Sequence, residues 1–249
     1  MNYSFQLYSA RNFTPWKEAY KTIANAGYKE VEGFGGVYTD AMATRALLDE
    51  AGLSMPSGHF SIDALENQLS DSLKTASDLG FKTIYCPYLE QEDRPSNAAD
   101  WKAFGKRLSD VGKRVNEGGF RFGWHNHDFE FIACDDGSIP MRSILNAAPD
   151  IEWEIDVAWI VRAGSDPSTW IDEYGSRISA VHIKDIAAND ENQDEDGWAD
   201  IGHGTLNWES LLQQLSLNTK ATVFAAEHDN PSDLARFAKR SIASLNSFT

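Results

Sequence analysis

The sequence contains six histidines, and each lies in, beside or shortly after a short apolar run rather than in an amphipathic stretch. His59, His125, His127, His182 and His228 end or interrupt such runs, and His203 sits in a glycine-containing segment after one. Along an extended chain, successive side chains point to opposite faces. Phe122 and Trp124 therefore share one face of their run, and His125 and His127 share the other. The same parity sets Trp153 and Ile155 against Glu154 and Asp156, and Val181 and Ile183 against His182 and Lys184. Phe224 and Ala226 stand against Ala225 and Glu227. Four consecutive runs thus aim ionisable groups the same way. Burying so many charges without a counter-ion is costly. A divalent cation held by Asp156, His182, Glu227 and a group from the His125–His127 run offsets that cost, since imidazole nitrogen and carboxylate oxygen are ordinary ligands for such ions. The competing arrangement is a buried salt-bridge network built on Lys184.

These runs need a frame that brings their ends together. Strand-like segments are expected at residues 5–8, 30–34, 55–59, 83–87, 121–127, 152–157, 180–184 and 222–227. Helical patterns alternate with them at 16–26, 41–51, 65–79, 98–116, 140–147, 168–174, 208–215 and 231–245. Gly27, Gly52, Gly80 and Gly118 stand where helices should stop. Strands alternating with helices imply parallel pairing, and eight such units imply a single (β/α)8 TIM barrel over residues 1–249. An open doubly wound sheet is the alternative, but no glycine-rich phosphate turn follows the first strand. Catalytic groups of such barrels collect at the C-terminal strand ends, where these histidines fall. The acidic stretch 187–207 reads as a loop over that face.

Composition narrows the partners. The chain has 249 residues and a formal net charge of −16, with 42% hydrophobic and 24% charged residues. That charge argues against nucleic acid as a partner. Cys86 and Cys134 form no paired spacing, so a disulfide framework or zinc finger is not expected. No apolar run approaches the roughly 20 residues of a membrane span, and no signal peptide is visible. The expectation is a cytoplasmic protein.

The segments His125-Asn126-His127-Asp128-Phe129-Glu130-Phe131, Glu154-Ile155-Asp156-Val157-Ala158-Trp159 and Val181-His182-Ile183-Lys184-Asp185 resemble the xylose-isomerase-like sugar isomerase/epimerase superfamily. Ile201-Gly202-His203-Gly204-Thr205 with Trp208, and Ala226-Glu227-His228-Asp229, continue the resemblance in order. Val31-Glu32 and Ser57-Gly58-His59 fit its early strands. The resemblance implies one manganese, magnesium, cobalt or zinc ion, with Asp156, His182 and Glu227 as ligands. Where the family commonly carries Glu-Asn-His, this chain has His125-Asn126-His127, so His125 takes the remaining ligand position, or Glu130 reaches back from the loop. The departure argues against simple ketose epimerisation through two glutamates.

The implied activity is isomerisation, epimerisation or elimination through an enediolate of a small carbohydrate such as a keto-sugar or inosose. His127 is the first candidate for the base, followed by Glu154 and Glu130, with Lys184 holding an oxyanion or paired with Glu154 or Asp185. His59, Trp198 and His203 are expected to bind substrate. A histidine base should also give an acidic limb in the activity profile near the imidazole pKa of about 6.5. The alternatives are a non-catalytic sugar-binding barrel with a degenerate metal site, and an abasic-site endonuclease-like phosphodiesterase.

Overall fold

The computed structural model describes residues 3–248; Met1, Asn2 and Thr249 of the expected 1–249 domain lie outside them. Eight strands close into an all-parallel barrel: β1 (Tyr3–Gln6), β2 (Glu30–Gly33), β3 (Ser54–His59), β4 (Thr83–Cys86), β5 (Arg121–His125), β6 (Glu152–Asp156), β7 (Ile178–Ile183) and β10 (Val223–Ala226). Each strand pairs with its neighbours in sequence, β10 closing onto β1, and among the described residues only the two-stranded sheet of β8 (Asp185–Ile186) and β9 (Trp198–Ala199) lies outside the barrel. The outer helices are α1 (Trp16–Ala26), α2 (Ala41–Ala51), α3 (Ile62–Asn67), α4 (Leu69–Leu79), α5 (Ala98–Glu117), α6 (Pro140–Ala147), α7 (Val157–Arg162), α8 (Pro167–Tyr174), α9 (Trp208–Asn218) and α10 (Leu234–Ser247). The fold is the (β/α)8 TIM barrel.

Strand parity decides what lies on each side of the wall. Trp124 meets Phe104 of α5 edge-on with ring centroids 5.3 Å apart, and Trp153 meets Trp170 of α8 at 6.3 Å. The intervening Glu154 and Asp156 are fully buried in the lumen. Deeper in the barrel, the Tyr85 and Ser179 hydroxyls are hydrogen bonded at 2.9 Å. Gly27 and Gly52 end α1 and α2 at φ 120° and 71°, a left-handed backbone that side chains disfavour.

Several boundaries differ from expectation for local reasons. The helix expected over 65–79 is two, interrupted at Gln68 (φ −132°, ψ 35°), where Ser72 Oγ donates to the carbonyls of Ala64 and Gln68. The strand expected over 121–127 ends at His125. The one expected over 152–157 ends at Asp156, whose Oδ1 accepts the Trp159 amide and caps α7. The stretch 187–207 is more ordered than a plain loop. β8 pairs antiparallel with β9, and the Asp185 carboxylate accepts amides from Ile186, Gly202, Gly204 and Leu206. No helix among the described residues is long and apolar enough to cross a membrane.

Candidate metal centre and its cavity

Pairing register brings the functional side chains together. His125 of β5 lies beside Glu154 of β6, Asp156 beside His182 of β7, and Ala225 of β10 beside His182. Asn126 clamps the first of these junctions. Its Oδ1 accepts from the Asp156 amide and Trp153 Nε1, both at 2.9 Å, and its Nδ2 donates to the Asp156 carbonyl at 3.1 Å. Glu227 follows β10 immediately, its amide bonded to the Ile183 carbonyl. One ligand atom each from His125, Asp156, His182 and Glu227 lies within 4.8 Å of the others, and all four residues are buried.

A second group lies one layer deeper: His59, His125, Glu154 and His182 meet the same 4.8 Å criterion. His125 and His182 belong to both groups, and His182 links them to β2. Its Nδ1 is 2.8 Å from Glu227 Oε2, and its Nε2 is 2.6 Å from Glu32 Oε1. Glu32, on β2, also accepts from Gln6 Nε2 at 2.8 Å and from the Ser57 hydroxyl. His59 Nε2 is 2.7 Å from Glu154 Oε2 and 3.3 Å from Glu32 Oε1. Lys184 closes the other side, 2.7 Å from Asp229, 3.3 Å from Glu227 and 3.8 Å from Asp156.

Burial and charge pull these groups apart in acidity. Burial alone would raise Glu32, but His59 and His182 hold it well below the usual carboxylate range. Burial and the Glu32 charge push Glu154 up to about 7. Asp156 is likewise pushed up to about 7 by burial, against the pull of Lys184. Burial would lower His59, yet Glu154 and Glu32 lift it to about 9. His125 is driven well down by burial and by the neighbouring His182.

The donor set fits a divalent ion. Two imidazoles and two carboxylates suit borderline metals such as zinc, manganese and cobalt. Among the buried polar atoms, His125 Nδ1, Glu154 Oε1 and Asp156 Oδ2 have no hydrogen-bond partner. Imidazole ligands must be neutral. With His125 and His182 neutral, the Lys184 and His59 cations would face the carboxyls of Glu32, Glu154, Asp156, Glu227 and Asp229. The surplus is negative.

The remaining expected residues divide between the cavity and the walls. His59, His125, His127 and Glu227 line a cavity of about 1070 Å³ over the cluster. His127 stands past the end of β5 among Tyr88, Phe129 and Trp159, with ring centroids 5.0, 6.1 and 5.6 Å away, and its Nδ1 has no hydrogen-bond partner. Burial and then the Lys184 charge hold it down at about 3. It is therefore neutral near pH 7 and a weak base.

Four expectations are corrected by position. Glu130 does not turn back to the cluster: its Oε1 accepts from Trp124 Nε1 and its Oε2 from the His127 amide, both at 2.9 Å, so it is tied to the outward-facing side of β5. Trp198 is 1% exposed and sits behind Trp159, their ring centroids 4.8 Å apart, with the Arg162 guanidinium 3.2 Å from its own centroid. Trp159, not Trp198, reaches the cavity. His203 is exposed, outside the cavity lining, in the turn fixed by Asp185. Lys184 pairs with Asp229, Glu227 and Asp156 rather than with Glu154 or Asp185. Sequence reasoning gave no role to Glu32, Asn126 or Asp229. Their signals were a carboxylate at an inward parity position, an asparagine between two histidines, and an acid after a strand end.

Over residues 20–248 the chain matches the family described as xylose isomerase-like TIM barrel, and it belongs to that family. It is 25% identical over 192 residues to the rhizopine catabolism protein MocC of Rhizobium meliloti, a match covering 70% of this chain and 58% of that protein. It is 25% identical over 93 residues to the inosose dehydratase of Clostridium beijerinckii, covering 37% of this chain and 31% of that protein. The chain thus spans less than two thirds of either relative. Among solved structures, it superposes on a sugar phosphate isomerase/epimerase from Parabacteroides distasonis with a TM-score of 0.81 at 20% identity, covering 98% of this chain and 93% of that one. It superposes on the IolI protein, whose structure carries a bound zinc atom, with a TM-score of 0.77 at 13% identity, covering 100% of this chain and 96% of that one. At these identities the superpositions establish the shared fold.

Proposed function

We propose that this chain is a divalent-metal-dependent enzyme that enolises a small keto-sugar or inosose-like substrate, with isomerisation, epimerisation or dehydration as the outcome. The observation that carries the proposal is the buried quartet His125, Asp156, His182 and Glu227, whose ligand atoms lie within 4.8 Å of one another beside a large cavity. The names of the inosose dehydratase and sugar isomerase/epimerase relatives support the same class of chemistry.

The ion, when bound, supplies Lewis acidity that stabilises negative charge developing on a substrate oxygen. The rest falls to the chain's own side chains. His59 lines the cavity and is backed by Glu154 at 2.7 Å and Glu32 at 3.3 Å, a geometry that orients an imidazole and stabilises its protonated form. We assign the proton transfer to the pair: Glu154, pushed up to about 7, is the group that can accept a proton near neutrality, and the His59 imidazolium, held at about 9, is the donor that returns one. His127, with its unpartnered Nδ1 in an aromatic box, is assigned to a substrate hydroxyl. Lys184 sets the charge of Glu227 and Asp229 from behind. Trp159 is assigned to the apolar face of the sugar.

The test is solvent-proton exchange in heavy water against keto-sugars and inososes, read by NMR, with manganese-loaded and chelator-stripped protein. Metal-dependent deuterium incorporation next to a carbonyl supports the proposal. No exchange with any substrate by fully loaded protein would overturn it.

A further inference from the structure

The cavity is lopsided. The quartet comes from the ends of β5, β6, β7 and β10, whereas much of the lining lies over β1 to β4. There the walls are Tyr8 after β1, Phe34 after β2, Phe60 after β3, and Gln68 and Thr75 from the α3–α4 segment. Tyr8 and Phe34 meet edge-to-face with centroids 5.5 Å apart, and Tyr8 remains 39% exposed. A volume of about 1070 Å³ lies just above the roughly 300–1,000 Å³ usual for small-molecule pockets. One pyranose ring over the quartet would leave the β1–β4 half unfilled.

The charge of the cavity lining is equally one-sided. Asp63, Asp71, Glu90, Asp93, Asp128 and Asp196 line the cavity, and Arg11 is the only lysine or arginine among the described lining residues. Arg11 is already engaged. Its guanidinium donates to the carbonyls of Tyr8 and Asp229 and covers the Tyr8 ring at 3.9 Å. Lys184 is 1% exposed and held by Asp229 and Glu227. His59, the other cation of the lining, is held by Glu154 and Glu32, so a phosphate over the β1–β4 side would enter a field of carboxylates whose cations are already paired. An uncharged ring would meet aromatic faces and neutral hydrogen-bonding groups, the usual composition of a site for an amphipathic ligand.

We infer that the site takes an unphosphorylated, uncharged glycoside of a keto-sugar, whose carbonyl-bearing ring lies over the quartet and whose second ring rests on Tyr8 and Phe34. This rests on the reading of the quartet as a metal-dependent sugar site, and it adds the substrate class.

Calorimetric titration of the manganese-loaded full chain tests it, with glucose, cellobiose, phenyl β-D-glucoside and glucose 6-phosphate as probes. The two-ring probes should bind at least about tenfold tighter than glucose, and glucose 6-phosphate should bind more weakly than glucose. Tyr8→Ala should remove the two-ring advantage, and Asp71→Lys should strengthen glucose 6-phosphate binding without a change in fold. The inference is overturned if cellobiose and phenyl glucoside bind no tighter than glucose, if glucose 6-phosphate binds as well as glucose, or if no probe binds the loaded protein. Manganese binding is titrated first. Failure at that step counts against the metal-enzyme reading, and failure of the sugar series alone counts against the substrate class.

Discussion

Nε2 of His182 lies 2.6 Å from Oε1 of Glu32, although the two residues are 150 positions apart and come from strands on different sides of the barrel. Both ring nitrogens of His182 face carboxylates, Nδ1 lying 2.8 Å from Glu227 Oε2. With Nε2–H donating to Glu32, Nδ1 faces Glu227 and the quartet, as expected of a carboxylate–histidine pair behind a metal ligand. Glu32→Gln should therefore weaken manganese or zinc binding by roughly 10- to 100-fold, measured by competition with a chromogenic chelator. Unchanged affinity in a folded variant would remove Glu32 from the positioning role.

The strand-five histidines should separate cleanly. His125→Ala is expected to lose the metal, because its ring belongs to the quartet. His127→Ala should keep the metal while losing affinity for hydroxyl-bearing ligands, because its ring lines the cavity outside the quartet. Metal analysis of the two purified variants gives the answer, and equal loss from both would refute the division.

The chelator-stripped protein should become less stable as the solution is made alkaline. His59 is lifted from 6.5 to about 9 by Glu154 and Glu32, which overcome the opposing effect of burial. A group whose folded pKa is raised contributes stability fully present below its unfolded pKa and lost as pH rises through the folded value. The melting temperature of stripped protein should thus fall between about pH 6.5 and 9, and His59→Gln should flatten that limb. A melting temperature constant or rising across the window would contradict the assignment.

Glu130 offers a structural control. Its carboxyl, pushed up to about 8 by burial, accepts from Trp124 Nε1 and the His127 amide. Trp124→Phe removes one donor from a buried acceptor, which should lower stability by about 1–3 kcal/mol in urea titrations without loss of metal. Loss of metal from a folded Trp124→Phe protein would show that Glu130 reaches the centre after all.

Much of this was legible because parity is a local rule. The alternation of Trp153 and Ile155 with Glu154 and Asp156 names the lumen side before any strand is placed. What escaped depends on contacts distant in sequence. Glu32 is one of two carboxylates in a four-residue strand, and only barrel closure brings His182 to it. Trp198 lies in an acidic stretch that reads as a lid, but β8–β9 pairing folds it inward against Trp159 and Arg162. His203 carries a motif of the family, yet its segment is organised by Asp185 and faces outward. The break at Gln68 turns on a serine side chain competing for helix carbonyls, which periodicity does not register.

The central claim is that the quartet holds one divalent ion, and the most direct measurement is metal stoichiometry by inductively coupled plasma mass spectrometry after equilibration with manganese or zinc and desalting. Wild-type protein should retain close to one ion per chain, and Asp156→Ala, still folded by circular dichroism, should retain none. A wild-type protein that stays empty in excess metal, or an Asp156→Ala protein that binds as the wild type does, would contradict the account.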